Sequence, residues 1–335
     1  RRARRRVTAG ANALDGVLVV DLTRHLPGPF ATRELLRLGA RVVRLEQAGG
    51  DPLRAMAPGW HARLNGGKES VVCDLKRDPG FGRALCARAD VVVEGFRPGV
   101  AERLGVGPDD LPDTVVYCSI RGFDGDGPWA ARAGHDVNYL GLAGVLDPAA
   151  PVLPPVPIAD LAAGALTAVS RILAGLLLRE RTGRGSVQRV SMTDEAYRLV
   201  QFRRGGTEAI PAPLLGGLAC YDLYRARDGG WLSVGALEPP FFRTLTELLG
   251  VPELAERQYD PSAQGELRTA LAERIATRSV EEWLAAFGDA DTAAAPVVPL
   301  DDVALAPDPL GDLPEHELGA DTAAWREELG LPSPG

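Results

Sequence analysis

The chain alternates short, nearly continuous apolar runs with longer stretches of helical period. The first run, Gly16-Val-Leu-Val-Val-Asp-Leu22, is apolar at almost every position, the signature of a strand covered on both faces. It predicts a strand over 16–22, a helix over 30–38 after the proline-bearing turn Thr23-Arg-His-Leu-Pro-Gly-Pro29, and a second strand over 41–46. Gly39 suits the helix end. Further strands are predicted over 70–75, 90–94, 115–119 and 186–192, and helices over 80–89, 158–181 and 193–202. A βαβ opening continued in this way predicts the α/β class: a doubly wound, Rossmann-like large domain.

Past residue 203 the pattern changes. Residues 203–217 are rich in Gly and Pro. A hairpin follows, with strands over 221–224 and 231–234 around the turn Asp228-Gly-Gly230. Helices are predicted over 239–249, 264–278 and 280–287, the last capped by Ser279, which makes a smaller α+β domain. The expected organisation is a disordered basic tip (1–13), a large α/β domain (14–202), a linker (203–220), a small α+β domain (221–298) and a C-terminal segment (299–335) returning to the large domain. An amphipathic piece over 323–329 would dock there.

Composition narrows the function. Net charge is −8, which argues against a broad nucleic-acid surface and requires any anion site to be a local cluster of Arg and Lys. The longest apolar candidate for a membrane helix, around 172–178, is short and flanked by Arg171 and Arg179, so no membrane span is expected. Cys73, Cys86, Cys118 and Cys220 lack metal-type spacing and read as core residues, giving no expected metal and a cytoplasmic setting. Five of the first six residues are arginine, with no signal-peptide core behind them. The turn after the first strand lacks G-x-G-x-x-G, so a nicotinamide enzyme is disfavoured.

The chemistry concentrates in residues 119–139, a glycine-rich loop between the strand over 115–119 and an apolar helix. Strand carboxyl ends are where open α/β folds bind ligands. The loop carries His135, one of only four histidines, and Asp136 follows it at an expected helix N-cap. Taken singly, His135 reads as a loop histidine, Asp160 as a helix cap and Glu238 as a helix start.

Together these residues carry a resemblance. Gly134-His-Asp-Val-Asn-Tyr139 resembles the G-H-D-x-N-Y motif of α-methylacyl-CoA racemases, in the family III CoA-transferase (CaiB/BaiF) superfamily. Leu38-Gly-Ala-Arg-Val-Val-Arg-Leu-Glu46, Gly49-Gly-Asp-Pro-Leu53, Lys68-Glu-Ser-Val-Val-Cys-Asp-Leu-Lys76, Gly95-Phe-Arg-Pro-Gly-Val100 and Val234-Gly-Ala-Leu-Glu-Pro239 resemble further superfamily motifs, in order. The resemblance implies the family III fold in an interlocked homodimer. It implies inversion of the α-carbon of a 2-methyl-branched acyl-CoA by two-base proton transfer through an enolate. His135 and Asp160 match the two bases, and Glu238 matches a glutamate that hydrogen-bonds the aspartate, raising the pair's pKa. No prosthetic group is implied; coenzyme A enters as part of the substrate. Arg44 matches an arginine at the adenosine end. Leu64 and Lys68 lie in a CoA-contacting loop, Arg97 and Arg103 in matching segments, and Gly134, Asp136 and Tyr139 beside the thioester.

The sequence departs from the family pattern at four places. Asn65-Gly-Gly-Lys68 has glycine where arginine is frequent; the connector before Asp160 is short; Asp160-Leu-Ala-Ala-Gly164 has an alanine at a close-packed position; and Leu215-Gly-Gly217 has leucine where racemases often show aspartate. Three alternatives stay open: a CoA-transferase using Asp160 as nucleophile, another α-proton reaction such as isomerisation or elimination, and a non-catalytic CoA-binding protein.

Overall fold

The computed structural model describes residues 12–123, 127–149, 151–206, 208, 210, 212–306, 308, 310–311 and 313–332. Most of the expected basic tip, and residues 124–126 of the glycine-rich loop, lie outside that set. The chain divides into two units: the described residues through Phe202 together with those after Ala306, and Arg203–Ala306.

The first unit is a six-stranded sheet in the order β3-β2-β1-β4-β5-β6. Its strands are β1 (Leu18–Asp21), β2 (Arg41–Glu46), β3 (Glu69–Val72), β4 (Val91–Glu94), β5 (Val116–Arg121) and β6 (Val187–Ser191). Every pairing is parallel, so the predicted doubly wound α/β fold is the observed one. The continuous apolar runs follow from this. Successive strand residues point to opposite faces, and helices cover both. Val19, Val42, Val91 and Cys118 enter one core, while Val20, Val43, Val92 and Tyr117 enter the other. On the first face lie α1 (Pro27–Arg37), α6 (Asp136–Leu142), α7 (Thr167–Thr182) and α8 (Met192–Val200). On the other lie α4 (Pro79–Arg88) and α5 (Val100–Arg103). Two short helices in the β2–β3 connection, α2 (Leu53–Met56) and α3 (Pro58–Asn65), went unpredicted.

The long helix differs from expectation. Its first two turns, Ala159–Leu166, are π-helical before α7 begins. Ala163, the departure at the close-packed position, sits inside the core at 1% exposure. The helical run Ala159–Thr182 spans 24 residues and holds an 18-residue window with a mean hydropathy of 1.9, enough by length and composition to cross a membrane, contrary to the expectation of no such run. Arg171 does not end it. That side chain turns aside to the Arg189 carbonyl oxygen and the Glu195 carboxylate, and the apolar helix continues past it. Here it covers the sheet through Ala165, Ala168, Ile172 and Leu176.

The C-terminal segment closes the β3 edge. Ser70 N–H donates to Asp321 Oδ2 (2.8 Å), and Asp321 N–H donates to the Ser70 carbonyl oxygen (3.0 Å). α12 (Thr322–Glu328) then buries Trp325 in the core, its indole N–H donating to Glu69 Oε2 at 2.6 Å. An edge strand thereby loses its free hydrogen-bonding row.

The second unit pairs β7 (Tyr221–Arg225) with β8 (Trp231–Gly235) as the predicted hairpin. β9 (Ala294–Pro296), a third antiparallel strand too short and alanine-rich to show in the pattern, joins β8. α9 (Pro239–Leu249), α10 (Gln264–Ile275) and α11 (Val280–Phe287) supply Phe242, Leu271 and Trp283 to its own core.

Candidate active site

Two cavities open at the carboxyl ends of the strands of the first unit. The first, of about 560 Å³, lies where the strand order reverses, between the loops after β1 and β4, the end of β5 and the start of α6. His135 and Asp160 both line it. The second, of about 860 Å³, lies over the ends of β2 and β3 and shares Leu22, Thr23, Arg24 and Phe96 with the first.

Close packing fixes the start of α6. Tyr139 is buried, meets Phe123 edge-on at 5.1 Å between ring centroids, and donates to the Gly134 carbonyl oxygen. A Cβ at Gly122 would stand 2.4 Å from the Tyr139 ring, so glycine is required there. The helix starts one residue earlier than predicted. His135, with extended backbone, is the N-cap, because its N–H donates to Asn138 Oδ1 at 3.0 Å. Asp136 falls in the first turn instead. Its Oδ1 accepts the Asp160 N–H at 2.9 Å and ties the α6 start to the π-helical turn. His135 is exposed on the cavity wall. Asp160 is half-buried: burial pushes its carboxyl up to about 7, and the Asp136 carboxylate adds to the rise. The like-charged neighbour that the sequence assigned to Glu238 is, within this unit, Asp136. Glu238 belongs to the second unit, at the residue before α9.

The residues expected to contact CoA divide. Arg97 and Arg103 are exposed, Arg97 on the first cavity and Arg103 on the second. Gly134 and Tyr139 line the first. Arg44, Leu64 and Lys68 line neither cavity. Arg44 is 1% exposed, its guanidinium held by Glu46 (3.3 Å), Asp51 (3.4 Å) and His61 Nε2 (2.9 Å). Lys68 is equally buried. Its Nζ donates to the Pro29 carbonyl oxygen (2.7 Å), Thr32 Oγ1 (2.9 Å) and Asn65 Oδ1 (3.0 Å), with Asp21 at 3.7 Å. Leu64 is buried in α3.

Both cations brace the loop after β1. Asp51, paired with Arg44, accepts the backbone N–H of His25 at 2.9 Å, and His25 holds a left-handed φ of 67° on the cavity wall. The glycines before Lys68 have a structural cause as well. A Cβ at Gly66 would meet the Leu313 carbonyl oxygen at 2.3 Å, and Gly67 N–H donates to the Pro314 carbonyl oxygen. They let the C-terminal segment cross.

The sequence reading missed Arg24, His25, Arg121 and Arg132, which line the first cavity. For Arg24 and Arg121 the available signal was position, since each stands at or just beyond a strand end. Among the described residues the cavity wall holds four arginines and a single carboxyl, Asp160.

Comparison with known proteins identifies the lineage. The model of CoA-transferase family III matches residues 14–310. The chain belongs to that family. It is 35% identical over 312 residues to human alpha-methylacyl-CoA racemase, covering 87% of this chain and 79% of the relative. It is 32% identical over 326 residues to mouse succinyl-CoA:glutarate CoA-transferase, covering 87% and 73%. Among solved structures, Rv3272 of Mycobacterium tuberculosis aligns with a TM-score of 0.81 at 27% identity, covering 94% of this chain and 99% of that one. The protein is therefore a family III enzyme, of a family whose members use CoA thioesters. Its relatives' names divide between racemase and CoA-transferase.

Proposed function

We propose that the protein inverts the α-carbon of a 2-methyl-branched acyl-CoA thioester. One observation carries this reading: an exposed imidazole and a carboxyl raised to about 7 share one cavity. A thioester acidifies its α-hydrogen. His135 takes that hydrogen as a proton, and the C–H electron pair passes into the enolate. Asp160 then delivers its own proton to the opposite face, and the roles reverse for the return direction. A carboxyl titrating near neutrality serves as acid and as base with little cost either way. The enolate oxygen accepts from the N–H groups at the start of α6. The nucleotide of CoA lies in the second cavity, with Lys76 and Arg103 on its wall. We further infer a homodimer in which Glu238 approaches Asp160 from the partner subunit. The apolar outer face of the long helix supports it, with Leu166, Leu177 and Leu178 each about half exposed.

A second reading has support from the names of the relatives at 32% identity. Asp160 would attack the thioester carbonyl, expelling CoA as thiolate and forming an aspartyl–acyl anhydride; the acceptor carboxylate attacks the Asp160 carbonyl and expels the donor acid, and the CoA thiolate then attacks the acceptor's acyl carbonyl, forming the new thioester and freeing Asp160. The test is α-proton exchange in D₂O on 2-methylacyl-CoA thioesters, followed by mass spectrometry and chiral analysis. Exchange with inversion, abolished by both His135→Ala and Asp160→Ala, is the expected result. CoA passing to an added carboxylate in a manner that needs Asp160 but not His135 would replace racemisation with transfer.

A further inference from the structure

The chain has four histidines, and the fold divides them evenly. His61 and His316 are spent on the scaffold: His61 Nε2 lies 2.9 Å from Arg44 Nη1, and His316 Nδ1 lies 2.7 Å from Asp321 Oδ2. His25 and His135 line the first cavity. The two-base pair uses His135 and leaves His25 without a part. The His25 imidazole is exposed on the cavity wall and has no hydrogen bond or ion pair among the described residues.

The backbone is strained to hold that imidazole there. Among the described non-glycine residues of the first unit, His25 alone has a left-handed φ, 67°, where a Cβ crowds the following carbonyl oxygen. Three anchors over-determine the turn. Asp21 Oδ1 accepts the Thr23 N–H at 2.9 Å, Asp51 Oδ2 accepts the His25 N–H at 2.9 Å, and the Pro29 carbonyl oxygen accepts from Lys68 Nζ at 2.7 Å. Asp21, Asp51 and Lys68 are each at most 2% exposed. A Cβ at Gly28 would stand 2.1 Å from Thr23 Oγ1, so the turn closes tightly on itself. α1, which starts in this turn, packs on the π-helical turn that carries Asp160. Buried anchors that hold a strained residue on a cavity wall, with its side chain unengaged, are suited to meeting a ligand.

The place of His25 along the substrate follows from the two cavities. Leu22, Thr23, Arg24 and Phe96 form the wall they share, and His25 is the first residue of that loop to line the first cavity alone. With the nucleotide in the second cavity, the pantetheine arm crosses the shared wall. The thioester comes next, and the α-carbon lies beyond it, between His135 and Asp160. A carbonyl oxygen has two lone pairs, and the start of α6 addresses one. An imidazole carries at least one N–H donor in either protonation state. We propose that His25 is a further catalytic residue, whose ring N–H donates to the thioester carbonyl oxygen and stabilises the negative charge that gathers there. This rests on His135 and Asp160 marking the position of the reacting carbon. It does not require proton abstraction in particular, because attack of Asp160 on the thioester puts charge on the same oxygen.

Isobutyryl-CoA tests it, since its α-carbon bears two methyl groups and inversion returns the same molecule. Infrared difference spectra of the full chain, with this ligand labelled with ¹³C at the thioester carbonyl, read the hydrogen bonds to that oxygen. The stretching band should fall below its position in water. His25→Ala should reverse most of that shift at saturating ligand, and His25→Gln, which keeps an N–H donor, should retain part of it. In the exchange assay or, if the protein transfers CoA, in the transfer assay, His25→Ala should lower kcat about a hundred- to a thousandfold with KM little changed. A band that His25→Ala leaves in place would overturn the proposal. So would a raised KM at unaltered kcat, because His25 would then grip the pantetheine arm. Absence of α-proton exchange with the band shift intact would instead remove the racemase reading and leave His25 its role.

Discussion

Asp160 gives the sharpest test of the site, because its catalytic value and its cost to folding come from the same burial. Its carboxyl rises from the ordinary aspartate value, about 3.9, to about 7 in the fold. At 1.36 kcal/mol per pKa unit this is about 4 kcal/mol, or about 2–4 kcal/mol once residual solvent contact is allowed for. A folded-state pKa above the unfolded value means that the native state holds its proton longer. Below about pH 4 both states are protonated and there is no penalty. Between about pH 4 and 7 the unfolded chain ionises while the native carboxyl resists, so stability falls. Above about 7 the full penalty is present and constant.

Asp160→Asn removes the charge and keeps the shape. The Asp160 N–H bond to Asp136 is a backbone bond and survives. The variant should match the wild type in stability near pH 4 and exceed it by about 2–4 kcal/mol at pH 8, while losing α-proton exchange. For a unit of this size that corresponds to roughly 4–16 °C in melting temperature at pH 8. Scanning calorimetry at pH 4.5, 6 and 8 on both proteins reads the gap directly. A stabilisation independent of pH would refute the argument, since no titration would then lie behind it. A loss of stability at all three values would show that the carboxyl makes contacts beyond those described. Asp136→Asn, which removes the second cause of the rise, should narrow the same gap without closing it.

Two further outcomes follow from the scaffold around the cavity. Lys68→Met leaves the Asp21 carboxylate, 1% exposed, without the Lys68 ammonium 3.7 Å away and should cost about 3–5 kcal/mol, read as a lower denaturant midpoint. Trp325→Ala removes a fully buried indole and should cost about 3–5 kcal/mol, with faster amide exchange at Ser70 and Val72, whose N–H groups donate to Asp321 and Thr322 on the same segment.

How far the sequence could be read depended on what each residue answers to. The parallel sheet was legible because its signal is local and redundant. Runs such as Leu18–Asp21 and Val91–Glu94 are apolar at nearly every position only if both faces are covered, and such runs alternating with helical stretches leave few other architectures. β9 was not legible: three residues, Ala294–Pro296, carry no period, and their strand state comes from β8. His135 and Asp160 were read from a resemblance, and the fold brings both to the wall of one cavity. Arg44 and Lys68 are buried and line neither cavity, a placement the sequence does not reveal for one physical reason. A cation in a motif beside a phosphate-binding loop looks the same on paper whether it faces the ligand or braces the loop from beneath. Only the burial of both side chains and the carboxylates Glu46, Asp51 and Asp21 around them separate the two cases.

The converse error is more informative. Arg121 and Arg132 drew no attention because single surface arginines are ordinary, and nothing in the chain links residues 24, 97, 121 and 132 until the sheet brings them to one wall. Parallel strands place every βα loop at the same edge, so charges from 11 to 73 residues from the next along the chain add into a single field. The charge of that wall, four arginines against the single carboxyl of Asp160 among the described residues, is therefore a property of the folded sheet that no motif in the chain announces.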